Sequence, residues 1–251
     1  MKKITFSLLP VLLAITPTAR AGTIAVFPIT DDASTGISPA IDYTHTISGG
    51  SPATVNGVSF EVLTSATTPA NFIWDTGANN KGQIAALNGD WVPALGGVTG
   101  PGVQNLLGGF TFSPNGANPP SAQTYTLTGL TLGQQYEARL YIRIWDTDGT
   151  GRPLDLSFTH GSEIDSAGTV PEDRPSIVLG SGNDQQAYYV SYTYTAQAEQ
   201  LDITAAVSAA GGANSGSAHM YALSNQTVVP EPSSLALAAL GMLGVLRRRR
   251  S

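Results

Sequence analysis

The 251-residue sequence predicts an all-β protein, a single jelly-roll-like sandwich of two sheets and roughly ten strands flanked by a short apolar helix at each end. Three observations point there. Apolar and polar residues alternate in short runs, and no stretch keeps a helical period over several turns. Gly, Pro, Asn and Asp punctuate the runs where tight turns would close them. No repeat of fixed length is visible, which argues against solenoids and propellers.

Taken in order, Thr23 to Ile29 reads as the first strand. Thr54-Val55, Asn56-Gly57 and Val58 to Leu63 read as a hairpin, because Asn-Gly supplies the positive φ angles of a two-residue type I′ turn. Asn71 to Trp74 is a short strand, and a turn or two of helix is expected around Val103, Leu106 and Leu107, ended by Gly108-Gly109 before Phe110 to Phe112. Thr124 to Tyr136 runs strand, corner, strand. Its Leu127-Thr128-Gly129-Leu130, Gly133 and Tyr136 resemble the Leu-Thr-Gly-Leu-x-x-Gly-x-x-Tyr corner of fibronectin-like and jelly-roll sandwiches. From there Tyr136, Ala138, Leu140, Ile142 and Ile144 point one way and Glu137, Arg139, Tyr141, Arg143 and Trp145 the other. Leu154 to Phe158 returns as a strand, and Gly161 to Asp184 reads as a loose Gly, Ser and acidic segment. Tyr188, Val190, Tyr192 and Tyr194 line one face of a further strand, Leu201, Ile203, Ala205 and Val207 another, and Ala218 to Leu223 closes the sheet.

The ends are organised differently, which divides the chain into residues 1–21, 22–227 and 228–251. Met1-Lys2-Lys3 precedes an apolar run from Ile4 to Ile15, and Ala19 and Ala21 are the small residues a signal peptidase reads. The run is roughly 18 Å long as a helix against a hydrocarbon core of roughly 30 Å, so a cleaved signal is expected and the mature chain should begin at Gly22. At the other end, Val228-Val229-Pro230-Glu231-Pro232-Ser233-Ser234 leads into uncharged Leu235 to Leu246 and then Arg247 to Arg250. The prolines stop the short transmembrane helix from extending backwards. The arginines should stay in the cytoplasm, leaving the middle of the chain on the far side of the membrane.

This tail resembles the PEP-CTERM sorting signal, with Val229, Pro230, Glu231 and Pro232 as its motif. The resemblance implies an exosortase-type membrane transpeptidase or protease as partner, in a Gram-negative bacterium that makes exopolysaccharide. It further implies transient anchoring, loss of the helix, and delivery to the cell surface or extracellular matrix. It covers about the last two dozen residues and supplies an address, not an activity. An unprocessed tail anchor is the alternative, and so short a helix would have to thin the bilayer to serve as one.

Between Gly22 and Thr227 stand five basic residues, Lys81, Arg139, Arg143, Arg152 and Arg174, against 17 acidic ones, a formal charge of −12. Such a surface repels phosphate backbones, so nucleic acid is not an expected partner. The absence of cysteine removes thiol nucleophiles, iron–sulfur clusters and thiolate zinc sites.

The sharpest candidate site is the polar face Arg139, Tyr141, Arg143 and Trp145, continued by Arg152. Flat aromatics stack on the CH faces of sugars while Arg and Asp hydrogen-bond their hydroxyls. The same residues also fit a solvated strand whose arginines pair with neighbouring carboxylates. Asp146-Thr147-Asp148-Gly149 opens like an EF-hand loop, but Ser157 stands at the twelfth position where Glu is required. A looser structural Ca2+ site could use Asp146, Asp148 and Asp155, and a plain hairpin loop is its rival. No other cofactor is expected. Asp31-Asp32 is a weaker ion candidate, and a strand-ending turn explains it equally. His45, His160 and His219 have no ligand spacing and read as core or rim residues. Trp74, Trp91 and the tyrosine stripe could stack sugars, although alternation of this kind marks an inner face.

A non-enzymatic carbohydrate-binding or adhesion module is therefore expected, with polysaccharide as ligand. A biofilm-matrix scaffold without a discrete site is the rival. A secreted glycan-active enzyme comes third, because no catalytic arrangement stands out and the nucleophile-elbow context is missing.

Overall fold

Strands form where the alternation expects them, and in additional places. The first half carries β1 (Thr23–Ile29), β2 (Tyr43–Ser48), β3 (Ala53–Val55), β4 (Val58–Val62), β5 (Phe72–Asp75), β6 (Gln83–Ala86), helix α1 (Pro101–Leu106) and β7 (Gly109–Phe112). The second carries β8 (Ala122–Thr128), β9 (Gln135–Arg143), β10 (Leu154–His160), β11 (Glu163–Val170), β12 (Ala187–Thr195), β13 (Gln200–Val207), β14 (His219–Met220) and β15 (Ala222–Thr227). These belong to a computed structural model that describes residues 22–64, 68–75, 83–86, 98–112, 122–143, 154–170, 187–208 and 218–228. The expected helices at the two ends lie outside them.

The fold is all-β. A seven-stranded sheet, β1-β12-β9-β15-β2-β4-β3, faces a five-stranded sheet, β11-β10-β13-β8-β5, and a three-stranded ribbon, β14-β7-β6, stands beside them. The strand count therefore exceeds the expected ten, and a third sheet joins the expected two. From β8 to β9, β9 to β10, β11 to β12 and β12 to β13 the chain crosses from one large sheet to the other, as in a jelly roll. All pairings in the large sheets are antiparallel except β2 with β4.

The alternating residues meet between the two large sheets. Tyr136, Ala138, Leu140 and Ile142 from β9 and Tyr188, Val190, Tyr192 and Tyr194 from β12 pack against Leu127, Leu156, Phe158, Leu201 and Ile203. The tyrosine stripe is thus core and unavailable for stacking on sugars. A second apolar cluster covers the opposite face of the seven-stranded sheet, where Tyr141, Ala187, Tyr189 and Ala222 meet Ile37, Val55, Phe60, Val103, Leu106 and Leu107. This sheet is buried on both sides, unlike the two-faced sheet that alternation suggests.

The turn chemistry behaves as expected. Asn56 and Gly57 have φ of 50° and 87° between β3 and β4, the two positive values a type I′ turn requires. In the β8–β9 corner, the Tyr136 hydroxyl accepts from Thr131 N at 2.9 Å and Leu130 is buried. β11 departs from expectation. Residues 163–170 form a strand on β10 instead of a loose segment, joined to it by the two-residue turn Gly161-Ser162, with Gly161 at φ 64°.

Candidate functional site

Register decides what happens to the polar face of β9. Glu137, Arg139 and Tyr141 lie opposite Thr193, Ser191 and Tyr189 of β12 and opposite Gln226, Ser224 and Ala222 of β15. Their side chains therefore share the face covered by the second cluster. Arg139, Tyr141 and Arg143 are 9%, 0% and 5% exposed, so these three residues of the expected sugar-binding face are buried.

What fills it is a closed polar network. Arg139 donates through Nε and Nη2 to the two oxygens of Glu137 at 2.8 and 2.9 Å and through Nη1 to Gly36 O at 2.7 Å. Its guanidinium lies 5.2 Å from the centre of the Tyr189 ring. Ser191 Oγ and Gln226 Nε2 also donate to Glu137, at 2.6 and 2.7 Å. Burial pushes the Glu137 carboxyl up, and the donors from Arg139, Ser191 and Gln226 overcome it, holding the group below the usual carboxylate range. Burial also opposes the Arg139 charge, and Glu137 outweighs that, leaving the guanidinium above its ordinary value. Burial pushes the Tyr141 hydroxyl up and Arg143 down. The arginine–carboxylate pairing weighed in the sequence is present, within one strand and largely buried.

The other expected site residues scatter. Trp145, Arg152, Asp146, Asp148 and Trp91 lie outside the described residues. Asp155 is exposed on β10, opposite Thr169 and Ala206. Trp74 is half-buried and donates Nε1 to Gln123 Oε1 at 2.8 Å. Asp32 serves as a helix cap, accepting from Val103 N at 2.7 Å and Gly102 N at 3.2 Å. Asp31 closes a local turn with Ser34.

Two arrangements were not anticipated. A groove of about 540 Å³ opens where β8, β10 and the β12–β13 turn converge, lined by Thr128, Thr159, Glu199, Gln200 and Asp202. Asp202 Oδ1 accepts from Thr126 Oγ1 at 2.6 Å, and Thr124 and Thr204 hydroxyls meet at 3.1 Å beside it. Period-two alternation in Thr124-x-Thr126-x-Thr128 was the available signal, since it places three hydroxyls on the outer face of the sheet. The second is His160, Glu163 and Asp165, whose ligand atoms lie within 4.8 Å of one another. Among the described residues this is the grouping that could hold a metal ion. The Gly161-Ser162 turn folds β11 back on β10 and so brings together residues with no ligand spacing along the chain.

Residues 228–250 match the family model of the PEP-CTERM protein-sorting motif. The chain carries a PEP-CTERM sorting tail. PEP-CTERM motifs mark exosortase substrates, so this is an exported protein handled at the membrane through its tail. Among the described residues no helix is long and apolar enough to cross a membrane. No curated protein sequence matches the chain. In structure, the chain is similar to the plant receptor-like kinase FER at 9% identity and TM-score 0.52, over 75% of this chain and 50% of that one. A chain of the complex of plant peptide RALF23 with FER and LLG2 is similar at 11% identity and TM-score 0.52, over 75% of this chain and 49% of that one. The ANXUR2 extracellular domain of Arabidopsis thaliana follows at 10% identity and TM-score 0.48, over 83% of this chain and 50% of that one. The chain thus spans about half the length of these solved chains. At such identities the likeness to the FER structures concerns the fold alone.

Proposed function

We propose that residues 22–227 form a non-catalytic carbohydrate-binding or adhesion module, displayed at the cell surface or in the extracellular matrix of an exopolysaccharide-producing bacterium. The observation that carries this reading is the groove of Thr128, Thr159, Glu199, Gln200 and Asp202, which offers hydroxyl, amide and carboxylate groups side by side. A polyol is the ligand class that can use all three, donating to carboxylates and exchanging hydrogen bonds with threonine and glutamine. The formal charge of −12 over residues 22–227 favours a neutral glycan over an anionic one. The sorting tail supports a place where such a ligand is abundant.

The test is a glycan array probed with the exported, tail-processed protein in buffers with and without calcium. Binding to a neutral polysaccharide is expected, weakened about tenfold or more by Glu199→Ala with Gln200→Ala, since losing hydrogen bonds to a ligand costs on the order of 1–3 kcal/mol. Failure to bind any polysaccharide of the producing strain would count decisively against the reading. A second reading, a self-packing matrix scaffold, draws on Ile73 and Ile164, which are 55% and 72% exposed on the two outer strands of the five-stranded sheet. Concentration-dependent association abolished by Ile164→Lys would favour it.

A further inference from the structure

We propose that removal of the signal peptide completes a charge site, in which the α-ammonium released at Gly22 pairs with Asp165 and ties the outer strand of one large sheet to that of the other. The inference rests on the cut after Ala21 and is independent of glycan binding. Hydrolysis breaks the Ala21–Gly22 C–N bond. The water oxygen forms the Ala21 carboxylate, and its protons convert the former amide nitrogen into an ammonium.

The geometry is already set. Gly22 N donates to Asp165 Oδ2 at 2.8 Å, joining the start of β1 to β11. β1 and β11 are the edge strands of the seven- and five-stranded sheets, so the contact closes the sandwich along one open side. Asp165 Oδ2 also accepts from the Tyr192 hydroxyl at 2.7 Å, which in turn accepts from His160 Nε2 at 2.8 Å. Gln197 N donates to His160 Nδ1 at 3.3 Å, so the ring proton sits on Nε2 and the chain of donors runs one way, toward Asp165.

Two features single out a cation as the missing component. Glu163 Oε2 is buried and accepts no hydrogen bond from the described residues, although it lies 3.9 Å from His160 Nε2. Among the described residues His160 is the basic side chain within ion-pair reach of Glu163. Two carboxylates thus have ligand atoms within 4.8 Å of one another beside a single imidazole, and an ammonium bonded to Asp165 brings a positive charge to that cluster. The space is cut for glycine. A Cβ on residue 22 would lie 2.6 and 2.7 Å from Tyr192 Cζ and Oη, so a side chain there would push the amine off Asp165.

The exported protein tests this. Intact mass and N-terminal sequencing fix the cut, and thermal melting is compared before and after Nα-acetylation. A Lys81→Arg background leaves the α-amine as the amine that reacts, because Lys81 is the lysine of residues 22–251. Acetylation is expected to lower Tm by about 4 °C, the size of one charge-assisted contact in a domain of this length. Asp165→Asn should lower it comparably and make acetylation silent, and a chain retaining Ala21 should melt like the acetylated one. A cut at any other bond overturns the proposal together with the cut-site reading. A cut at Gly22 with no change on acetylation, or an undiminished change in Asp165→Asn, overturns the proposal alone. So does a Tm that rises with zinc chloride while ignoring acetylation, which would make the cluster a metal site.

Discussion

Glu137 holds the covered face of β9 together, because four donors from three strands, two of them on one buried guanidinium, converge on its two oxygens. Glu137→Ala strands Arg139 without its counter-charge, and urea unfolding should register a loss of about 2–4 kcal/mol. Glu137→Gln, which keeps volume and one acceptor, should lose distinctly less. The parity of these residues was legible, since Glu137, Arg139, Tyr141 and Arg143 do share one face of the strand. What lies over that face was not legible. Its cover comes from Ile37, Val55, Val103 and Leu106, residues far away in sequence whose positions no local pattern of β9 encodes. An alternating polar strand reads as solvated unless the second layer is known, and here the charged pair Glu137–Arg139 is satisfied by protein donors and acceptors.

Elements in this protein are held by partners distant in the chain. Helix α1 has glycine at its N-cap without a side-chain acceptor, and Asp32, from the loop after β1, supplies the missing one to Val103 N and Gly102 N. Asp32→Ala should therefore cost about 1–2 kcal/mol, and Asp32→Asn less, read as a fall in the urea midpoint with unchanged slope. The β10–β11 hairpin turns on Gly161, whose φ of 64° and whose Cβ space, 3.2 Å from Gln197 Cβ, both disfavour a side chain. Gly161→Ala should destabilise by about 1–2 kcal/mol. Gly-Ser between two short runs is itself a hairpin signal. It was obscured because the acidic and small residues of 163–168 lack the β-branched density that marks a central strand. The Asn56-Gly57 hairpin and the Gly129–Tyr136 corner were legible because backbone torsion alone dictates their residues.

At the scale of the molecule, buried groups that lose or reject protons set the response to acid. His45 donates Nε2–H to Asn71 O at 3.0 Å, and burial lowers its pKa from 6.5. The unfolded chain thus takes the proton first, and stability is complete above about pH 6.5 and lost as pH falls. Glu137, lowered from 4.5, contributes stability that is present above that value and lost below it. Melting temperature should stay level from neutral to mildly basic pH, decline below 6.5 and drop more steeply below 4.5, with His45→Gln making the first decline shallower. The position of β15 has a different consequence. The last strand before the tail is not at an edge but inserted between β9 and β2, so a chain emerging amino end first keeps a cleft with two unpaired borders until Thr227 has crossed. Closure of the sheet and arrival of the sorting tail at the membrane become one event, and a polypeptide cut short before Ala222 would leave the translocation machinery as prey for envelope proteases.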